Sequence, residues 1–463
     1  MGGTAVDAAV AGALACFAAE PLLASAGGAG IMVVRRPDEQ PVAIDFFSTV
    51  PGSAGRPERL DFHAVEVNFG AARQAFHVGR AAAAVPLVLD GLALAALQFG
   101  LLPLKDLVAP AARLAREGVV ADALTARTFE LLWQILARDP ECMAEIAEGL
   151  PGDRAPRAGE VLRNPKLADT LERFAANGAT PPELRDGLLT HFGPERGGLI
   201  CAADLANAKV EITAPHTFAL GDWMVSTSPR LGGRLVGLIA GALCDVEPEA
   251  DEAAEVLRQA QASLSGHRAR LLLPPANHRG ATTHVSVVDD LGGAASVTLT
   301  AGEGCGHVVP GTGVHVNNFL GEEDLNPKGF HLHAPGSGLP TMIAPSVAIH
   351  ASGRVVALGS GGSNRIRSAV GLVLHGLRRG LPIEEAVVAP RVHGEDSAVW
   401  VEMADRTNPS AIVERLGDGF PLVHPFSERD FFFGGVHVAE RSETGVLRGA
   451  GDARRNGASL VVP

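Results

Sequence analysis

Tyrosine is absent from this chain, tryptophan occurs 3 times and cysteine 5 times. The scarcity of aromatics argues against a platform that stacks nucleic-acid bases or sugars. Cys16, Cys142, Cys201, Cys244 and Cys305 are scattered without a C-x-x-C pair, so neither a disulfide framework nor a zinc site is signalled. Positive charge is also short: 39 Lys and Arg against 52 Asp and Glu leave a formal charge of −13. That balance discourages binding to phosphate backbones, and no nucleic-acid partner is expected. A membrane-length apolar run is missing too. The Ala/Gly-rich stretch over residues 1–31 has no basic leader, carries Asp7 near its start and is interrupted by Glu20-Pro21. It reads as a buried helix and a glycine loop, not as a signal peptide or a membrane span.

What is present suits a large α/β unit or two domains. The chain has 463 residues, 46% of them hydrophobic, which predicts a sizeable core. A small-apolar helix is expected over residues 8–19, ended at Pro21, followed by the tight loop Ser25-Ala26-Gly27-Gly28-Ala29-Gly30 and a strand from Ile31. A second strand covers Ala43-Ile44-Asp45-Phe46-Phe47. Helices are expected over residues 89–117, broken near Pro103 and Pro110, and over 126–150, 169–189 and 250–265. Phe431-Phe432-Phe433 reads as a buried strand.

The character changes after Pro274. A mostly polar linker, Pro275 to Ala281, leads into the alternation Thr283-His284-Val285-Ser286-Val287-Val288-Asp289. Asp290-Leu291-Gly292-Gly293 is a turn candidate, and Ala295-Ser296-Val297-Thr298-Leu299-Thr300 a returning strand. Symmetry about that turn sets Thr300 opposite Thr283 and brings its hydroxyl close to Thr282. A threonine hydroxyl is a weak nucleophile unless a base takes its proton. At a newly made N-terminus its own α-amine, with a pKa of about 7.7–8.0, can be that base. Thr282 would need cleavage after Ala281, and the small Gly280 and Ala281 would leave the bond accessible. On local composition alone, Thr282 and Thr283 read more simply as the start of a threonine-rich strand.

Ordered motifs add to this. Gly2-Gly3-Thr4-Ala5-Val6-Asp7-Ala8-Ala9-Val10, Glu20-Pro21, Gly27-Gly28-Ala29-Gly30, Leu102-Pro103 and Arg113-Leu114-Ala115-Arg116-Glu117-Gly118 occur first. Gly197-Gly198 to Asp204-Leu205, Thr282-Thr283-His284-Val285-Ser286-Val287-Val288-Asp289, Pro310-Gly311-Thr312-Gly313, Asn317-Asn318 and Ala389-Pro390-Arg391-Val392-His393 follow. In this order they resemble the gamma-glutamyltransferase family, of the N-terminal-nucleophile hydrolase superfamily, over nearly the full length. The resemblance implies an α/β fold, a four-layer αββα sandwich, made as a precursor that cuts itself into associated segments 1–281 and 282–463. It implies that Thr282 is the nucleophile, Thr300 its orienting partner, and Gly361 and Gly362 of Gly359-Ser360-Gly361-Gly362-Ser363 the oxyanion donors. Asn364 and Arg365 would orient that loop or cap the next helix. Substrates would be gamma-glutamyl or related small amides, as in glutathione metabolism, with water or an amine as acceptor. No cofactor or metal is implied, and homodimerisation is left open.

The substrate positions depart from the family pattern. Phe47 stands where the family has an arginine that clamps the substrate carboxylate, and Gly302 where it has an asparagine. Glu322 aligns approximately with the aspartate that receives the substrate ammonium, and Thr341-Met342 replaces a serine pair. Phe47 favours an apolar acyl group. An acylase for an uncharged small amide, or a catalytically silent homologue, are the alternatives. His331, His333 and His393 lack metal-ligand spacing and are expected in polar packing or pocket contacts. The opening straight into a helix implies either a shortened cytoplasmic form, or a missing strand and export segment with a periplasmic or secreted protein and an unpaired sheet edge.

Overall fold

The computed structural model describes residues 2–68, 73–244, 251–270 and 281–462. The linker expected over 275–280, with Gly280, lies outside them. Two large sheets carry the architecture. The first contains β1 (Ala29–Arg35), β2 (Val42–Phe46), β3 (Glu211–Thr213), β6 (Thr282–Val288) and β7 (Ala294–Thr300), in the order β6-β7-β1-β2-β3. The second contains β4 (His216–Leu220), β5 (Trp223–Thr227), β8 (Ser346–His350), β9 (Val355–Gly361), β10 (Gly435–Arg441) and β11 (Leu447–Ala450), in the order β11-β10-β9-β8-β5-β4. Strands from both sides of residue 281 therefore share each sheet.

The sheets face one another through small and β-branched side chains. Val33, Ala43 and Ala294 of the first meet Val347, Val355 and Ala357 of the second. Ser296 bridges the layers, donating to the Leu358 carbonyl at 2.9 Å and accepting the Ser346 N–H at 2.9 Å. Helices α1 (Ala5–Ala19), α2 (Val88–Phe99), α3 (Leu104–Glu117) and α4 (Pro165–Asn177) contribute to the core that covers the first sheet's outer face. Helices α5 (Leu231–Cys244) and α6 (Ile366–Arg378) contribute Val236, Ala240, Val370 and Val373 to the core on the second. The result is a four-layer αββα sandwich.

Local chemistry explains several motifs. Thr4 and Asp7 form a capping box at the start of α1: the Thr4 hydroxyl accepts the Asp7 N–H and the Asp7 carboxylate accepts the Thr4 N–H. Asp7 also accepts the Leu101 N–H at 2.9 Å, tying α1 to the segment after α2. Helix α1 stops at Ala19, with Glu20 as its C-cap, as the following Pro21 requires. The region 126–150 divides into helices Ala123–Leu136 and Pro140–Ile146, and 169–189 into α4 and Pro182–Phe192. The region 250–265 falls within helix Glu252–Arg270.

Three expectations are corrected. Helix α3 runs through Pro110, whose exposed position lets water take the carbonyl its missing N–H leaves free. Phe431–Phe433 is a 3₁₀ turn, not a strand: Asp430 accepts the Phe432 N–H at 2.7 Å and Gly434 reverses the chain at φ +76°. Thr300 pairs with Thr282, not Thr283. Asp289 belongs to the loop: its N–H donates to the Gly293 carbonyl at 2.9 Å and its carboxylate accepts the Gly293 N–H at 2.6 Å. That extra loop residue slips the register by one, and directly opposed residues share a face. Thr282 and Thr300 consequently point the same way.

Candidate active site

Thr282 begins β6 at the sheet edge, opposite Thr300, which in turn pairs with Ala29 of β1. The bond between Ala281 and Thr282 is not accessible as expected: the two residues are 7% and 5% exposed, because the start of β6 is packed between the sheets. The Thr300 hydroxyl donates to the Ala281 carbonyl at 2.7 Å and accepts the Gly302 N–H at 3.0 Å. Accepting from Gly302 directs its proton at the carbonyl. A hydrogen bond there withdraws electron density from the carbonyl carbon, the change that favours attack by a nearby nucleophile. The Ala281 N–H donates to the buried Glu303 carboxylate, so both polar groups of Ala281 are held.

Thr282 and Thr300 open onto a small cavity of about 30 Å³. Phe47, Glu322, Thr341 and Met342 also line it, which brings the sequence-identified substrate positions together. Phe47 stacks on Phe319 with ring centroids 5.1 Å apart. Arg230 sits 6.0 Å from the Phe47 ring, but its Nε is committed to Asp45 at 2.5 Å. Neither Arg nor Lys is among the described residues lining the cavity. Gly302 lies behind Glu322. A methyl group on it would meet Asn318 Oδ1 at 2.1 Å and Glu322 Oε1 at 2.2 Å, and its φ is +62°, so glycine is needed on both counts.

The cavity has an acidic side. Asp324 accepts the Ser363 hydroxyl at 3.0 Å, while Glu303 Oε1 and Glu322 Oε1 are buried without hydrogen-bond partners. Burial pushes the Glu303 carboxyl up to about 8. Burial, then the neighbouring charges of Glu303 and Asp324, pushes Glu322 well above the ordinary carboxylate range. A carboxyl with a higher pKa folded than unfolded binds more protons in the folded state. Its stabilising contribution is full below 4.5 and is lost as pH rises through about 8. Glu303→Gln, which keeps the shape of the neutral acid and cannot ionise, is expected to flatten this decline. Thermal unfolding across that range would show it as a midpoint advantage over wild type that grows with pH; parallel curves would contradict it.

The glycine loop lies against the same threonine. Strand β9 ends at Gly361, Gly362 follows at φ +125° and Ser363 at φ +51°. A methyl on Gly361 would meet the Thr282 carbonyl oxygen at 2.2 Å, so only glycine allows this approach. The two residues after the loop brace it: Asn364 donates to Glu395 at 3.0 Å and Arg365 Nε to the Phe432 carbonyl at 3.1 Å. Arg365, the N-cap residue of α6, makes no side-chain cap there.

The sequence profile of the family described as gamma-glutamyltranspeptidase matches residues 1–247 and 243–462. The chain belongs to the gamma-glutamyltranspeptidase family. Among relatives, the acylase ACY 1 proenzyme of Pseudomonas sp. (strain SE83) is 29% identical over 515 residues, covering 100% of this chain and 90% of its own. The glutathione hydrolase proenzyme of Escherichia coli (strain K12) is 26% identical over 458 residues, covering 85% and 77%. A solved cephalosporin acylase from Bacillus halodurans shares the fold, with TM-score 0.80 and 23% identity over 99% of this chain and 91% of that one. Membership in the gamma-glutamyltranspeptidase family carries the N-terminal-nucleophile hydrolase fold and, at family level, enzymatic acyl chemistry.

Sequence reasoning missed Glu303, Phe319 and Asp324. The Glu322-Glu323-Asp324 run and the Asn317-Asn318 motif were visible signals, but only the folded chain turns Asp324 toward Ser363. Glu303 has no local signal at all. The histidines are in polar packing, each with a partner: His331 with the Ala81 carbonyl at 2.9 Å, His333 with the Leu325 carbonyl at 3.0 Å, His393 with Ser368 at 2.8 Å. Among the described residues of this gamma-glutamyltranspeptidase family member, no group of three His, Cys, Asp or Glu could hold a metal, and no helix is long and apolar enough to cross a membrane.

Proposed function

We propose that this chain is a self-processing threonine amidohydrolase or acyltransferase, cut between Ala281 and Thr282, whose acyl pocket takes a small amide lacking an α-carboxylate. The observation that carries the reading is the network at the Ala281 carbonyl: Thr300 donates to it at 2.7 Å beside the buried Thr282. In processing, Thr282 Oγ1 attacks the Ala281 carbonyl carbon and the C–N bond breaks. The hydroxyl proton goes to the departing nitrogen. Water then hydrolyses the ester, leaving an Ala281 carboxylate and a free Thr282 amine. The segments 1–281 and 282–463 stay associated through their shared sheets.

In turnover the α-amine takes the Thr282 hydroxyl proton, and the oxygen attacks the substrate carbonyl. Backbone N–H groups of the Gly361–Gly362 turn receive the developing charge, and the leaving amine takes the proton. Water or an acceptor amine then releases the acyl group. The apolar Phe47–Phe319 wall supports an acyl body without a carboxylate, and Glu322 supports a positive group on it, which would draw that carboxyl to its ionised form.

Denaturing electrophoresis with N-terminal sequencing tests the first step. Two fragments, the smaller beginning at Thr282, are expected, and an intact chain that hydrolyses amides would overturn it. Thr300→Val keeps the strand's shape and removes the orienting hydroxyl. Both cleavage rate and turnover are expected to fall, by about 10²–10³ if the hydroxyl acts as an oxyanion-type donor. Wild-type rates in that variant would remove Thr300 from the site.

A further inference from the structure

On the far side of the glycine loop a buried charge lacks a hydrogen-bond partner. Arg454 and Arg455 are adjacent in the short 3₁₀ turn Ala453–Arg455. Arg454 is fully answered: it donates to Glu402 at 2.8 and 2.5 Å and to Asp452 at 3.2 Å. Arg455 is equally buried, 7% exposed, yet its Nε, Nη1 and Nη2 have no hydrogen-bond partner. Its guanidinium lies over the Phe431 ring at 3.8 Å from the centroid. Stacking engages the flat face of the group and leaves the N–H fork at its edge free.

Nearby carboxylates are occupied. Asp452 is held by Arg391, Arg454 and the Val436 N–H, and Asp122 accepts the Thr125 N–H at 2.7 Å and Asn456 Nδ2 at 2.9 Å. Glu20 is different. Its side chain bonds to Thr283 and feels the charge of Arg455, but its Oε2 is buried with no hydrogen-bond partner and no close ion pair with Arg455 is formed among the described residues. Glu20 and Arg455 line one cavity of about 190 Å³. Leu22, Leu124 and Phe129 supply an apolar wall. Both charged residues also border a wider cleft along β6, which provides entry. Neither lines the Thr282–Thr300 cavity.

A guanidinium and a carboxylate oxygen that face one small space without hydrogen-bond partners are complementary to a ligand carrying both opposite groups. We propose that this cavity is a binding site for a small zwitterion, an α-amino acid with a compact apolar side chain. Its carboxylate takes the Arg455 fork, its ammonium meets Glu20 Oε2, and its side chain packs on Leu22, Leu124 and Phe129. The site is separate from the acyl pocket but adjoins the glycine loop. Arg455 Nη1 lies 3.2 Å from where a methyl would stand on Gly361, and Nη2 3.6 Å from the same point on Gly362. This inference stands whether or not the chain cuts itself.

Calorimetric titration of the full chain with L-alanine and L-valine tests it, with acetate and methylamine as probes bearing one group each. Saturable binding of the amino acids is expected, with each single-group probe at least about tenfold weaker, the loss from one ionic contact. Binding should weaken by a similar factor in Glu20→Gln and Arg455→Met, with folding checked by circular dichroism. Arg455→Lys, which keeps the charge but not the fork, gives the same comparison if Arg455→Met does not fold. Glu322→Gln should leave binding intact. No saturable binding to the wild type would overturn the proposal. So would binding that survives in folded Arg455 variants but is lost in Glu322→Gln, since that would put the amino acid in the acyl pocket. Strongly non-additive destabilisation by the Glu20 and Arg455 changes, without amino-acid binding, would mean that the two simply pair with each other.

Discussion

Thr282→Ala is expected to remain a single 463-residue chain with no amide hydrolysis above a background reduced by about 10⁴–10⁶. The methyl side chain fits the same buried position, so the fold should persist and the loss can be assigned to chemistry. Without the hydroxyl there is no atom to attack the Ala281 carbonyl, even though Thr300 still donates to it. Thr282→Ser restores a hydroxyl on an unbranched carbon and should cut, more slowly, because the serine rotamer is held less firmly than the β-branched threonine. Mass spectrometry of freshly purified and aged samples separates these cases. Normal fragments from Thr282→Ala would mean that another protease makes the cut, or that the cut serves no nucleophile at Thr282.

How legible this was depends on the distance over which each feature is encoded. The hairpin 282–300 was readable because alternation and a turn are local, and the αββα arrangement followed from motif order. The register failed by one residue because Asp289 looks like a strand end in sequence. Only in the fold does it accept the Ala5 N–H at 3.1 Å and close the loop on Gly293. Phe47 and Glu322 were found through their motif positions. Glu303 and Arg455 were not, since their significance lies in partners far away in sequence or in having none. Pro110 misled because the rule against proline inside a helix assumes that the lost hydrogen bond cannot be hydrated.

Gamma-glutamyl amides are expected to be poor substrates of the processed protein, compared with small amides whose acyl group has an apolar body and no carboxylate. A gamma-glutamyl group brings an α-carboxylate into the pocket, and that charge must be desolvated. Phe47 stacked on Phe319 cannot hydrogen-bond it, and Arg230, the guanidinium beside Phe47, is paired with Asp45. Glu322, whose pKa is raised by burial and by the neighbouring Glu303 and Asp324, offers no positive charge to answer it. One missing buried ionic contact costs about 2–5 kcal/mol, or about thirty- to several-thousand-fold in kcat/KM if the contact forms in the transition state. An ammonium on the acyl group would draw Glu322 back to its ionised form and recover part of that loss there, so cationic acyl amides should outperform neutral ones of equal size. Glu322→Gln should remove that preference while sparing neutral substrates. The screen must use material already separated from uncut chain, because residual precursor lowers every rate alike. Paired substrates that differ only in the α-carboxylate read the effect directly. A gamma-glutamyl amide turned over as fast as its decarboxylated partner would show that the acidic, aromatic pocket does not select against the carboxylate, and the proposed acyl specificity would fall while the nucleophile stood.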